Sequence, residues 1–426
     1  MKVFASPVPN ADTAEVLKQT FSGRGRHERR NMKNAAVVLI TAMLFLVSLA
    51  GPLVARDRTV ADAFTLAEDP ADDWRTLDTP LGRTITLYGQ ISQAFLGYND
   101  GLSTRAYFPV DNDNASTRLG FLWALRSIGK FSARVRFEGG LTPRSSKDVS
   151  QLDSNGAGFE LDGSNLRKLE LILDHPVLGT ITIGQGSMAT DGISEIDFSR
   201  TTVTAFSDPS PSAGGQFIRR TDNRLSALRI KDVFDNFDGD RVRGRDIDGN
   251  RVLRTRYDRQ ITENLKLSLA VGKDVINGTL DTYADGALRY RIDTDTYRFG
   301  GGLGLTFKGS ERVVAASGSV VLHSNNLTLT LAGAHSNESG KYRYIKVGKI
   351  WNLFPVGDTA ISLDFYHGFD LVGSGSESRS IGLAAVQHFD ANNTEIFALL
   401  RGYSYDDDFA DYKDSLAFFT GARWKF

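Results

Sequence analysis

From Arg83 to Phe426 the sequence alternates apolar and polar residues in stretch after stretch, and a period of two dictates strands rather than helices. In the last twelve residues Leu416, Phe418, Thr420, Ala422, Trp424 and Phe426 fall on one face, and Ala417, Phe419, Gly421, Arg423 and Lys425 on the other. The same division runs through Ile85, Leu87, Gly89 and Ile91 against Thr84, Thr86, Tyr88, Gln90 and Ser92. It continues through Leu119, Phe121, Trp123 and Leu125 against Arg118, Gly120, Ala124 and Arg126, and through Phe131, Ala133, Val135 and Phe137 against Ser132, Arg134, Arg136 and Glu138. A sandwich built from so many amphipathic strands needs blunted edges, and the devices that blunt them are scarce here; closing the sheet on itself removes the edges. Strands of about 10 residues are also the length that crosses a bilayer at a tilt. The fold class expected is therefore all-β: a transmembrane antiparallel β-barrel, apolar to lipid and charged to the lumen.

Further strands are expected near 166–173, 179–185, 224–231, 251–258 and 264–272, and then near 287–307, 313–322, 327–335, 342–351, 359–368, 379–389, 394–405 and 415–426. Taking 287–307 as one strand gives sixteen, the preferred number. Splitting it at Asp293-Thr294-Asp295 and adding a strand around Gln216–Arg220 gives eighteen, and repairs the alternation of short and long connections that slips at Arg259–Glu263.

The chain has 426 residues, a net charge of -1, 42 glycines, 11 prolines and no cysteine. Balanced charge excludes the electrostatic footprint of a nucleic-acid binder, and an exported chain without cysteine needs a stabiliser other than disulfides. The uncharged run Ala35–Ala50 follows Arg29, Arg30 and Lys33 and ends in Gly51, Pro52 and Leu53-Val54-Ala55. This is the pattern of a signal peptide over 32–55, cleaved after Ala55; the small-residue exit argues against a membrane anchor. Residues 1–31 are a long extension or an upstream start, and 56–82 an acidic periplasmic leader ahead of the barrel domain at 83–426.

Several of these stretches carry a family resemblance. Thr86-Leu87-Tyr88-Gly89-Gln90-Ile91, then Ser116-Thr117-Arg118-Leu119-Gly120-Phe121, then Gly129-Lys130-Phe131 through Phe137-Glu138, resemble the first three strands of the Gram-negative outer-membrane porins of the general-diffusion type. Gly179-Thr180-Ile181-Thr182-Ile183-Gly184-Gln185 is similar to the strand that leads into their inward-folded third loop. The resemblance implies a homotrimer in the outer membrane, with lipid and lipopolysaccharide around it, each protomer a pore for small hydrophilic solutes and ions. It implies no enzyme activity and no cofactor or metal. The third loop would run from about Gly186 to Arg220 and set acidic Asp191, Glu195 and Asp197 at the constriction, although the acidic, glycine-containing tip of the enterobacterial members has no clear copy.

Charge leads to a similar place. If apolar residues face lipid, then Arg118, Arg126, Arg134, Arg136, Lys168, Arg254 and Arg256 face the lumen, because Arg or Lys at the lipid midplane costs ~2–4 kcal/mol. A basic wall of Arg118, Arg126, Arg134, Arg136 and Lys168 opposite an acidic loop sets a transverse field that favours small polar solutes. A pore selective for a sugar or an anion, and a purely structural or adhesive barrel, are the alternatives.

Other constellations carry less. Asp235, Asp238, Asp240, Asp246 and Asp248 alternate near glycines but lack the register of a calcium loop, and they read as a solvated outer loop. Asp406-Asp407-Asp408 reads likewise, with divalent bridges to lipopolysaccharide. Gly300-Gly301-Gly302-Leu303-Gly304 lies within a strand and is expected to allow curvature or contact between neighbouring barrels. His335-Ser336-Asn337 has the residue types of a hydrolytic site, but neighbours along a strand cannot face one another.

Overall fold

The computed structural model describes residues 75–79, 83–141, 144–155, 166–238, 252–273 and 282–426. The expectations for 1–31, 32–55 and 56–74, and for Asp240, Asp246 and Asp248, lie outside the described residues. In chain order the strands are β1 (Thr76–Thr79), β2 (Arg83–Asn99), β3 (Thr104–Asp111), β4 (Arg118–Ala124), β5 (Ser132–Gly140), β6 (Leu166–His175) and β7 (Gly179–Gly186). Then come β8 (Phe217–Arg219), β9 (Leu225–Arg229), β10 (Val252–Gln260), β11 (Leu265–Lys273), β12 (Thr282–Asp293), β13 (Tyr297–Lys308) and β14 (Glu311–Leu322). The last are β15 (Leu327–Ser336), β16 (Gly340–Phe354), β17 (Gly357–Phe369), β18 (Glu377–Phe389), β19 (Thr394–Asp406) and β20 (Ser415–Lys425).

Each wall strand pairs antiparallel with the next, and β20 returns to β2 with Gln90 opposite Lys425 and Asn99 opposite Leu416, so the sheet closes. Of the eighteen strands in this sheet, β1 and β3 are extensions of the β2 edge, and sixteen form the barrel wall. The number is the one preferred from sequence, but it is reached through two differences that cancel. The segment near 224–231 is no wall strand: β9 pairs with β8 in a separate two-stranded sheet. The segment 287–307 is two strands, β12 and β13, turned at residues 294–296, where the Thr294 hydroxyl accepts the amides of Thr296 and Tyr297. That turn is built by a threonine side chain without glycine or proline, and so lacks the usual punctuation. Together the two differences restore parity: residues 261–264 join β10 to β11 at the end of the barrel that has short connections throughout.

That end, the turn end, also holds the C-terminal residue. Gly89 and Phe426 exchange backbone hydrogen bonds of 2.9 and 3.1 Å, and the Trp424 and Phe426 rings lie 5.0 Å apart. The opposite, loop end holds the long connections 141–165 and 187–251. Outward positions form a belt of exposed apolar side chains, among them Leu269, Leu303, Val347, Leu363, Leu383, Ile396, Leu400 and Trp424. An apolar surface of that extent suits hydrocarbon, where a closed sheet leaves no backbone group unsatisfied.

The β2–β20 seam is tight at one point. A Cβ on Gly421 would stand 2.2 Å from the Gln93 carbonyl oxygen and 2.8 Å from Ala94 Cα. Backbone cannot step aside there as a side chain could. Gly421→Ala is expected to cost about 1–3 kcal/mol of overpacking, read as a smaller folded fraction in unheated gel electrophoresis after refolding.

Candidate constriction

The connection from β7 to β10 covers residues 187–251, longer than the stretch expected from sequence, and its described part, 187–238, lies against the inward face of the wall. Polar hydrogen bonds mark its course. The amides of Ala189 and Thr190 donate to Asp285 of β12 at 3.1 and 2.8 Å. The amides of Ile196 and Phe198 donate to Ser317 and Ser319 of β14 at 3.1 and 2.9 Å, and Thr201 shares a 2.7 Å hydrogen bond with Ser362 of β17. The segment then straddles the seam. Tyr403 of β19 donates to the Pro209 carbonyl at 3.0 Å, Asn112 to the Val203 carbonyl at 2.8 Å, and Tyr107 of β3 to Gln216 at 3.1 Å.

The glycine run of β13 is explained by this contact. A Cβ at Gly300 would be 2.7 Å from the Phe198 ring, at Gly302 2.7 Å from Ile196 Cδ1, and at Gly304 2.8 Å from Thr190 Cγ2. The close approach is therefore to the chain's own loop, on the inside of the barrel. The small side chains of β14 opposite, Ala315, Ser317 and Ser319, are buried beneath the same segment.

Two ion pairs are sealed below the loop. Lys346 Nζ of β16 lies 2.7 Å from Asp197 and 2.7 Å from the Ala205 carbonyl oxygen, with side-chain exposures of 0% for the lysine and 2% for the aspartate. Arg401 of β19 holds Asp364 of β17 through both carboxylate oxygens at 2.8 and 2.9 Å and adds Ser380 at 3.0 Å. Higher up, Phe234 packs edge-on against Tyr366 and Tyr403, and Tyr342 stacks on Tyr366 at 5.4 Å. The β8–β9 hairpin closes over this layer at the loop end, where Arg219 reaches Asp100 at 2.7 Å. Burial raises the Asp100 carboxyl, but Arg219 and the Ser103 and Leu102 amides outweigh it and bring it down to about 2. The stability this link contributes is thus present above the ordinary aspartate range and lost only as the pH falls toward 2.

The first residues of the loop cap Arg254 and Arg256 of β10 through the Ser187 and Met188 carbonyls, but the inward faces of β4 and β5 stay open, and the wall from β4 to β11 is basic. Arg118, Arg134 and Arg136 point inward, their side chains 30%, 37% and 26% exposed. Arg118 lies 3.9 Å and Arg167 2.8 Å from Glu138, which also accepts from the Tyr88 hydroxyl at 3.0 Å. Glu170 is shared by Arg136 at 3.6 Å and by the buried Arg254. Asp258 is held by Arg256 at 2.8 Å and Lys266 at 3.4 Å. On the other side of the seam Arg423 and Lys425 converge on Glu395. Cations outnumber carboxylates along this wall, and one carboxylate often serves two or three of them.

The residues expected from sequence therefore separate. Arg118, Arg136 and Lys168 gather on the open wall; Arg134 pairs with Asp174 toward the turn end; Arg126 lies beyond the end of β4 in an exposed turn. Of the acidic set, Asp191 belongs with the basic wall: its backbone carbonyl accepts from Arg289, and its charge acts on Lys168, Arg256 and Arg289. Glu195 accepts from Asn236 at 3.0 Å within the loop's own fold, and Asp197 is the buried tether to Lys346. The inward partners Arg167, Arg289, Lys346 and Arg401 were not singled out from sequence. The signal was there for Lys346, a lone charge among Tyr342, Tyr344 and Gly348 on the inward face of β16.

Other expectations fall on structural roles. Ser336 faces inward and donates to Glu311 at 2.7 Å, while His335 faces outward. The Gly192 amide donates to Asp238 at 2.7 Å, and Asp407 binds the hydroxyls of Tyr405 and Tyr412 and the amides of Phe409 and Ala410. No cluster of metal-ligating side chains occurs among the described residues.

No protein-family profile matches the sequence, and no curated protein does. Solved structures do match. An anion-selective porin from Comamonas acidovorans aligns over 81% of this chain and 100% of its own, at 13% identity and a TM-score of 0.50. OmpT, an outer membrane protein of Vibrio cholerae, aligns over 82% and 100% at 10% identity with a TM-score of 0.49, and the outer membrane channel DcaP of Acinetobacter baumannii over 82% and 99% at 11% and 0.48. The fold is that of the bacterial outer-membrane porins.

Proposed function

We propose that the protein is a passive channel of the Gram-negative outer membrane, exported by the segment 32–55 and assembled as a homotrimer, through which small hydrophilic solutes and ions diffuse down their gradients. The observation that carries this reading is the uncovered inward wall, where Arg118, Arg134 and Arg136 keep a quarter to a third or more of their side-chain surface open inside a barrel whose opposite wall is sealed by the loop. Charged side chains in that position keep water in the lumen. No covalent step is part of the reading.

A second reading, selectivity for anions, is favoured by the surplus of cations along the same wall. A cleft lined by one sign of charge within low-dielectric walls concentrates the opposite sign. Arg136→Gln with Lys168→Gln leaves Glu170 paired to Arg254 and removes two cations of the open wall, of which Lys168 feels the charge of Asp191. In planar bilayers under a salt gradient, the wild type should show large conductance steps in groups of three and a reversal potential of anion preference. The double variant should shift that potential toward cations by roughly several-fold in permeability ratio, as a local potential of a few kT requires. An unchanged potential removes both residues from the constriction; silence from a correctly folded barrel sinks the channel itself.

A further inference from the structure

The outer surface carries a feature that the pore does not use. On the outward face of β16, β17 and β18 near the loop end, pairing sets the residues in rows across the strands. Arg343 is opposite His367, which is opposite Arg379, and in the next row toward the loop end Lys341 is opposite Phe369, which is opposite Glu377. His335 of β15 extends this upper row beside Lys341. The row on the turn-end side is apolar, Ile345, Phe365 and Ile381, all exposed, and it begins the belt described above. A band of cations therefore stands directly on the rim of the apolar belt.

The charges in that band are unevenly satisfied. Arg379 is held by Glu377 and lies 3.5 Å from Asp406, and His367 Nε2 is 3.2 Å from Glu377. Lys341 and Arg343 have no carboxylate within ion-pair distance among the described residues; both sit over the Phe369 ring, at 5.5 and 4.9 Å from its centroid. Cation–π contact fixes where the two heads stand and leaves their N–H groups free for an anion. A strand face that is apolar up to one row and cationic in the next matches a molecule with acyl chains below and phosphate above.

We propose that Lys341 and Arg343, steadied by Phe369 and flanked by His367 and Arg379, form a binding site for the phosphate groups of an anionic glycolipid in the leaflet that surrounds the loop end. The proposal rests on the outer-membrane reading, which puts the loop end in the outer leaflet, and not on whether the pore conducts. The lipid lies with its chains against Ile345, Phe365 and Ile381 and its phosphates between the two cations.

The test uses the refolded chain in nanodiscs of phosphatidylcholine doped with diphosphorylated lipid A or with its dephosphorylated form, with retained lipid counted by native mass spectrometry. The wild type should retain the phosphorylated form and release the other. Lys341→Gln with Arg343→Gln should lower that retention roughly thirtyfold, the combined loss of two cations at a lipid surface. Lys349→Gln, a charge removed from the outward face at the turn end, should retain it as the wild type does. Equal retention by K341Q/R343Q, or indifference to the phosphates, overturns the proposal. So does a disulfide between two copies carrying Ile381→Cys, which would place a second chain on this face. The two substituted side chains point away from the lumen, so K341Q/R343Q should keep wild-type conductance. If the wild type conducts nothing, the channel reading fails while lipid retention still decides this site.

Discussion

Asp197→Ala should detach the loop from the barrel wall. The carboxylate it removes is the partner of Lys346, whose side chain is fully buried, so the variant leaves a charge under the loop with the Ala205 carbonyl, while Asp364 opposite it in the sheet is already engaged by Arg401. Breaking one side of a buried pair costs about 3–5 kcal/mol, most of it the penalty on the survivor. The barrel has a way to relieve that penalty, because lifting the loop admits water to Lys346. The expected result is a folded barrel with a lower unfolding temperature, a larger single-channel conductance and faster protease cleavage between Ser187 and Gln216. Unaltered conductance together with unaltered protection would mean that the tether is dispensable and that the hydrogen bonds to Ser317, Ser319 and Ser362 hold the segment alone.

The second large effect is expected at Asp364. Asp364→Ala strands Arg401, which is held at both carboxylate oxygens and is 1% exposed, and again about 3–5 kcal/mol should be lost. The charge lies in the same row of the wall as Lys346, beside Tyr344 and Tyr403. The informative companion is Asp364→Leu with Arg401→Leu. Replacing a whole buried pair by apolar side chains is often close to neutral. The double variant should therefore recover most of the unfolding temperature that D364A loses, as read by the heat at which the folded band disappears on a gel. If the double variant is as unstable as the single one, the pair contributes through its geometry, with Ser380 included, rather than through the charge it neutralises.

Period-two alternation was enough for the barrel, for the inward set Arg118, Arg134, Arg136 and Lys168, and for the closing strand, because a side chain's face follows from parity alone. The strand boundaries around β12 and β13 were not, since a threonine turn and a run of glycines erase alternation at the place where it was needed. The reason for those glycines lay further off in the chain. They make room for Thr190, Ile196 and Phe198, and no local pattern states that a loop about a hundred residues earlier will lie there. The acidic loop residues follow from the resemblance to the porin third loop, and of them Asp191 lies where its charge reaches Lys168 and Arg289. Asp197 differs because its neighbours in space, Lys346 and Thr330, come from strands that the sequence order does not bring near it.

The loop has another consequence, for the order in which this molecule can be put together. It leaves from β7 and is held both by β12–β19 and by Tyr107 and Asn112, next to the first wall strand, so its contacts straddle the β2–β20 seam. Once β2 and β20 have zipped, a segment of some fifty residues with a hairpin at its end has no side entrance to the interior. Lid and staves must come together as in a cask, with the insert laid against the staves before the last one is drawn tight. Such contacts join residues far apart in sequence, and non-local closure of that kind is slow.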